Sequence, residues 1–167
     1  MVTFFLTAKT LLYFRVILLT VGCFLLVTDP EYLSNAGFVM LLGQAMEVTY
    51  APLESSNAII GLLVLFLGIN ALTDVIPLLA DNLEFFETIV PTRLTVYFAV
   101  AAYSYIGNSQ YFSTSLVFVY CFLEVWINFL IFNNLRDEKY VRLKKFVEEN
   151  VDKIMEVEGE KVVVVED

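Results

Sequence analysis

The sequence predicts an all-α membrane protein in which four transmembrane helices, with short interfacial helices between them, are followed by a charged cytosolic helix and tail. Three observations predict it. First, 59% of the 167 residues are hydrophobic and the mean hydropathy is +0.74, which is too apolar for an ordinary soluble domain. Second, four windows reach or approach the roughly 20 apolar residues that a helix needs to cross a hydrocarbon core about 30 Å thick. Third, the charged residues crowd the end of the chain, where 135–167 holds 17 of the 29, while the remaining 12 are spread over the long apolar part. The implied division is a four-span domain over 1–134 and a cytosolic amphipathic helix with an acidic tail over 135–167.

The first window covers about 8–27 and is closed by Thr28-Asp29-Pro30. It has no small-residue cleavage pattern after a short apolar core, and Arg15 interrupts it, so it reads as a retained anchor and not as a cleaved signal peptide. The second covers about 58–76, with Ser56 or Asn57 as its N-cap and Pro77 disfavouring helical geometry in the residue before it. The third, about 91–106, starts at Pro91, a residue suited to the first helical turn, and is short for a full span. The fourth runs over about 112–132 and ends at Asn133-Asn134. Only Gly107 to Tyr111 separate the third and fourth windows, which makes them an antiparallel hairpin.

Two further apolar segments are too short to span. Ala36 to Val48 reads as an interfacial or re-entrant helix, or as a loop helix, and Pro77 to Ile89 as an amphipathic helix with Asp81, Glu84 and Glu87 toward water. Beyond Asn134 a charged helix is expected to about Val157. Its apolar positions Tyr140, Leu143, Phe146, Val147, Val151 and Ile154 recur at three- and four-residue spacing and share one face. That face could lie on a membrane or bind a partner, or the helix could be solvated and run into a disordered acidic end. Lys9 stands at the start of the first span and Arg136, Lys139, Arg142, Lys144 and Lys145 follow the last, whereas the 28–57 loop holds four acids and no Lys or Arg. The positive-inside rule then puts both termini in the cytosol.

Composition also excludes functions. With pI near 4.4 there is no clustered basic face for nucleic acid. The chain has no histidine, which removes the commonest zinc ligand and the usual neutral-pH base, so zinc hydrolases and Ser-His or Cys-His catalysis are poor fits. No phosphate-binding glycine loop occurs. No cofactor, metal site or catalytic residue is expected, and Cys23 and Cys121 read as small buried thiols. The aromatics Tyr97, Tyr103, Tyr105, Tyr111, Tyr120 and Trp126 read as packing or interfacial side chains.

The candidate site is a set of polar residues inside or at the ends of the apolar windows: Arg15, Asn70, Asp74, Arg93, Glu124 and Asn128. A charge near a bilayer centre costs roughly 2.5–3.5 kcal/mol on insertion scales, so such groups usually face the protein interior and pair. Arg15 and Glu124 fall at comparable depth, roughly 10 and 12–15 Å from the cytosolic ends of their helices at 1.5 Å per residue, while Asp74 and Arg93 flank the same interface. Two ion pairs follow, Arg15 with Glu124 and Asp74 with Arg93. Asn70 lies one turn from Asp74, and Asn128 one turn from Glu124. The set could fix helix packing, coordinate a cation or relay a proton.

The stretches around these residues, NALTDVIPLLADN (70–82), VPTRL (90–94) and VYCFLEVWINFLIFNNLRDEK (119–139), resemble the fungal family of increased loss of mitochondrial DNA protein 1, with weaker likeness at Phe14-Arg15 and at Gln44-Ala45-Met46. The 28–57 loop and the tail match poorly. The resemblance implies a small multi-span protein of the endoplasmic reticulum whose loss compromises mitochondrial genome maintenance. It brings no reaction and no catalytic residues. Residues and resemblance together point to a non-enzymatic scaffold or assembly subunit in the endoplasmic reticulum membrane. Its partners would be membrane lipids and a membrane protein or further copies of the chain, with no nucleic acid. The alternatives are an oligomeric channel or transporter subunit using Asp74 and Glu124, and an intramembrane lipid-modifying enzyme. For location, a mitochondrial membrane is the alternative.

Overall fold

A computed structural model describes residues 7–107 and 109–163, with side chains to residue 151. Six helices follow in order: α1 (Ala8–Thr28), α2 (Pro30–Ser34), α3 (Gly37–Ala45), α4 (Ile59–Leu79), α5 (Leu83–Ile106) and α6 (Ser115–Val163). Of these, α1, α4, α5 and α6 are long and apolar enough to cross a membrane. Among the described residues the one β-type pairing is a bridge between Thr49 and Thr114. The all-α class with four membrane-length helices is therefore the fold of this chain.

Helix α1 starts where Thr7 accepts a hydrogen bond from the Thr10 amide, and ends at Asp29. Asp29 then caps α2 through the Tyr32 amide, with Pro30 at the first helical position. The sequence reading missed this one-turn helix. Helix α3 lies inside the segment expected to be helical. It closes at Glu47, whose φ of 54° lets the Val48 amide reach the Gly43 carbonyl and the Glu47 amide reach that of Gln44, the paired bonds of a Schellman cap. Helix α4 has Ala58, and not the expected Ser56 or Asn57, at its N-cap; Asn57 Oδ1 lies one residue earlier and accepts from the Ile59 amide at 3.0 Å.

Three boundaries differ from expectation. Helix α4 does not stop at Pro77; it continues to Leu79 and closes at Asp81, with φ 54°, where the Asn82 amide bonds the Pro77 carbonyl at 2.9 Å and the Asp81 amide bonds that of Leu78 at 3.3 Å. A proline near a helix end removes one donor, and a Schellman cap repairs the last turn. Pro91 does not begin the next helix either. Asn82 does, accepting from the Phe85 amide, and Pro91 sits inside α5. The separate helix over 77–89 therefore does not exist; its residues finish α4, form the turn and begin α5. The fourth window is not closed at Asn133-Asn134, because α6 runs on through them, with one non-helical residue at Asn150. Asparagine is a weak helix former but no breaker. The expected face residue Ile154 and the acidic end lie outside the described side chains.

Helix α1 packs along α4, α5 runs along α6, and α1 meets α6 to join the two pairs. Helix α3 rests on α6, and the consecutive helices α4 and α5 share little contact. At one end of the bundle an apolar layer collects Ala8, Leu11 and Leu12 of α1, Leu78 of α4, Phe86 and Val90 of α5, and Ile131 and Leu135 of α6. Outward positions such as Ile17, Phe24, Leu62, Leu65, Leu72, Phe98 and Ile106 are exposed and apolar, the surface that a lipid environment would cover.

Candidate functional site

One turn further along each helix from that layer, Leu12 gives way to Arg15, Leu78 to Asp74, Val90 to Arg93, and Ile131 to Asn128 and Glu124. Arg15, Asp74, Glu124 and Asn128 are each at most 3% exposed. Such burial of charge requires partners. Arg15 supplies them as a fork: its Nε donates to Glu124 Oε2 and its Nη2 to Glu124 Oε1, both at 3.0 Å. Its Nη1 donates to Asp74 Oδ2. The other Asp74 oxygen, Oδ1, accepts from Arg93 Nη1 at 2.5 Å, and Arg93 Nη2 reaches Thr73 Oγ1 at 3.5 Å. Asn128 donates to Glu124 Oε2 at 2.8 Å and to the Glu124 carbonyl at 2.8 Å.

The two expected pairs are both present, yet they are not separate. Arg15 bridges them, so the sequence reading of two isolated pairs is corrected to one chain running Arg93, Asp74, Arg15, Glu124, Asn128. All four membrane-length helices contribute to it. Two arginines and two carboxylates sum to zero, which is how a cluster this buried avoids the penalty of a net charge in low dielectric. Arginine suits the central place because its planar fork holds a carboxylate with two donors and still has a third for Asp74.

Asn70 stands apart. It occupies the expected position one turn before Asp74, but its amide donates to the Phe66 carbonyl on its own helix at 2.8 Å. Two residues read only as packing aromatics lie beside the network. The Tyr97 and Tyr120 hydroxyls are 3.3 Å apart with their rings edge to face at 5.7 Å, and Phe66 packs edge-on to Tyr120 at 6.4 Å. Their i, i+4 relation to Arg93 and Glu124 respectively was the available signal. The Asn128 Oδ1 atom is buried without a protein partner. A small cavity of about 30 Å³ borders Arg15, Tyr120 and Glu124, room for one water molecule.

Chemically the arrangement is closed. Each carboxylate is engaged by guanidinium, the Asp74 pair by two different arginines, and the apolar layer separates them from the near end of the bundle. Among the described residues no three His, Cys, Asp or Glu side chains come together as a metal site. Cys23 and Cys121 are free thiols; Cys23 contacts the Val64 carbonyl at 3.6 Å and Cys121 is buried.

The opposite end is held by backbone. Thr49 N donates to the Ser113 carbonyl at 3.2 Å, and Ser115 N to that of Thr49 at 2.9 Å. A Cβ on Gly43 would lie 2.9 Å from the Ser115 Cβ, so α3 approaches α6 as closely as it does only because residue 43 has no side chain.

The model of the family described as increased loss of mitochondrial DNA protein 1 matches residues 6–145. Protein ILM1 of Saccharomyces cerevisiae is 36% identical over 152 residues, covering 88% of this chain and 74% of its own. Protein ilm1 of Schizosaccharomyces pombe is 31% identical over 148 residues, covering 81% of this chain and 90% of its own. No solved structure matches. The matched stretch holds every residue of the buried network.

Proposed function

This chain belongs to the family of increased loss of mitochondrial DNA protein 1, and from that premise we propose that it is a multi-pass membrane scaffold or assembly subunit of the endoplasmic reticulum. It carries out no reaction of its own, and mitochondrial DNA depends on it indirectly, through lipid supply, ion balance or biogenesis of another membrane protein. The observation that carries this reading is the neutral charge network, in which all four carboxylate oxygens of Asp74 and Glu124 accept from arginine. A transport site needs carboxylates that can exchange a guanidinium partner for an ion, and an acid-base catalyst needs one within reach of a substrate. Here both carboxylates are committed to arginine and to fastening four helices, behind an apolar layer. In lipid, where apolar surfaces gain little by meeting, polar contacts of this kind select one helix arrangement.

Both termini face the cytosol in this reading. Lys9, Arg136, Lys139 and Arg142 gather at one end of the bundle, and the loop before α4 carries acids alone. The test is mild-detergent affinity purification with mass spectrometry, wild type against Glu124→Gln at matched expression. A defined complex weakened in the variant supports the scaffold. A purified chain without partners that moves ions across liposomes would replace it with the channel reading, and lipid turnover by the same preparation with the enzymatic one.

A further inference from the structure

At the end of the bundle away from the apolar layer, α3 rests on the first residue of α6, Ser115. Ser115 is 2% exposed and its amide donates to the Thr49 carbonyl, but its hydroxyl has no hydrogen-bond partner among the described residues. Its neighbour across the joint explains why. Gly43 comes so near that a methyl there would meet the Ser115 Cβ at 2.9 Å, yet glycine has no side chain to offer the hydroxyl, and its carbonyl already accepts from the Val48 amide at 3.1 Å. Burying a hydroxyl without a partner is costly, and folded proteins nearly always supply one. Beside this contact lies a cavity of about 70 Å³ bordered by Met40, Gly43, Gln44, Val48, Tyr50 and Ser115.

Size and chemistry choose the occupant. A water molecule takes about 30 Å³ in the liquid, so the space suits about two of them and is too small for a headgroup, a sugar or a nucleotide. No charged side chain borders it, so neither a metal cation nor an anion meets a counter-charge there. An apolar molecule would leave the Ser115 hydroxyl unpaired. Water answers it, because water both donates and accepts. Two more polar side chains stand at the cavity wall, the Gln44 amide and the Tyr50 hydroxyl. The latter donates to Asn35 Oδ1 at 2.6 Å and keeps its own oxygen as an acceptor. Together with Ser115 they offer the two to four partners that an ordered internal water needs.

We propose that Ser115, Gln44 and Tyr50 form a binding site for ordered water that fastens α3 to α6, completing by hydrogen bonds a joint that Gly43 brings close but leaves unpaired. The site is independent of the scaffold reading. Two substitutions in the full chain give opposite signs for a wet and a dry cavity. Ser115→Ala removes the hydroxyl with little change in volume. A dry cavity would lose only an unpaired group, so the variant would be as stable as the wild type or more so; a wet one loses its water-mediated bonds, and the unfolding equilibrium constant should rise about three- to tenfold. Val48→Ile adds one methylene at the cavity wall. Filling a dry cavity would stabilise, whereas here it expels a water, strands the Ser115 hydroxyl and should raise the unfolding constant by a similar factor. The double variant has no hydroxyl to strand, so its loss should be smaller than the product of the two single factors. Reversible SDS unfolding in mixed micelles reads all three, and a crystal structure of the wild type should show water within hydrogen-bonding distance of Ser115 Oγ. Unchanged or raised stability in Ser115→Ala, a gain in Val48→Ile, independent effects in the double variant, or no water density at Ser115, including a detergent or lipid group in its place, overturns the site.

Discussion

Removing Arg15 is the most revealing single perturbation, because it deletes the centre of the network and leaves its ends. Arg15→Gln takes away two bonds to Glu124 and one to Asp74 and leaves two carboxylates against one guanidinium, a net charge of minus one in a site at most 3% exposed. Three charge-assisted hydrogen bonds at about 1.5–3 kcal/mol each set an upper bound near 9 kcal/mol. Measured losses on removing one partner of a buried pair are about 3–5 kcal/mol, and that is the expected cost. Arg15→Gln with Glu124→Gln restores neutrality, with Asp74 and Arg93 still paired, so the double variant should lose only about 1–2 kcal/mol. The coupling in that cycle should then exceed about 2 kcal/mol. A second cycle separates a network from two independent pairs: Arg15→Gln with Asp74→Asn should also couple, by about 1–2 kcal/mol, whereas unconnected pairs give additivity within about 0.5 kcal/mol. The assay is reversible SDS unfolding of the purified chain in mixed micelles, followed by the fluorescence of its single tryptophan, Trp126. Additivity in the second cycle would refute the bridging role of Arg15, and additivity in both would refute the network.

Other sites give smaller, independent tests. Gly43→Ala should destabilise by about 1–3 kcal/mol, because the new methyl meets the Ser115 Cβ at 2.9 Å and α3 must move off α6; the same unfolding assay reads it. Glu47→Gly should instead stabilise by about 0.5–1 kcal/mol, since Glu47 holds a left-handed φ of 54° at the α3 cap and makes no ion pair among the described residues; a lower midpoint would show that the cap is formed otherwise. Glu87→Gln should cost at most about 1 kcal/mol at low salt, because its partners Lys139 and Arg142 are about half exposed, and the difference should vanish in high salt. A salt-independent loss would mean that Glu87 acts by packing.

The sequence was most legible where composition clashed with context. A charged residue inside an apolar window stands out at any sequence position, and counting residues at a fixed rise matched Arg15 with Glu124; Asp74 and Arg93 were matched with each other but placed at the interface, whereas Asp74 is fully buried beside Arg15 because α4 and α5 both extend past the expected ends. The Arg15 to Asp74 contact was not legible. It depends on which helices are neighbours, and lateral order leaves no periodic trace in a chain whose outward faces are apolar all round. Helix ends were misread for a local reason. Pro77 and Pro91 each signal a boundary, but the turn chemistry of Asp81 and the cap of Asn82 lie between them and set both ends, so the two prolines became interior residues. Asp29 with Pro30 was read only as a stop, although the same pair is also the start signal of α2. Asn70 was grouped with Asp74 by spacing alone, and spacing does not reveal that an asparagine amide will turn back to its own helix.

Why the bundle uses four charges, where leucines would insert more easily, follows from its contact pattern. Helix α4 leans on α1, and α5 on α6, while α4 and α5 share little surface. Two helix pairs joined along one seam between apolar surfaces could slide or rotate by a turn at little cost, because lipid competes equally for every apolar position. Arg15 sits on that seam. Sliding α1 by one turn, about 5.4 Å, would draw its guanidinium away from both Glu124 and Asp74, leaving a buried cation and an unbalanced carboxylate each costing several kcal/mol. The network therefore acts chiefly against wrong registers and adds less to the depth of the right one. A fixed register sets the direction and rotation in which α6 leaves the bundle, since α6 carries Glu124 and Asn128 and runs unbroken as far as residue 149. The buried charges and the ion pairs at the end of the bundle are thus linked through one helix: what holds Glu124 in place also sets Lys139 and Arg142 beside Glu87.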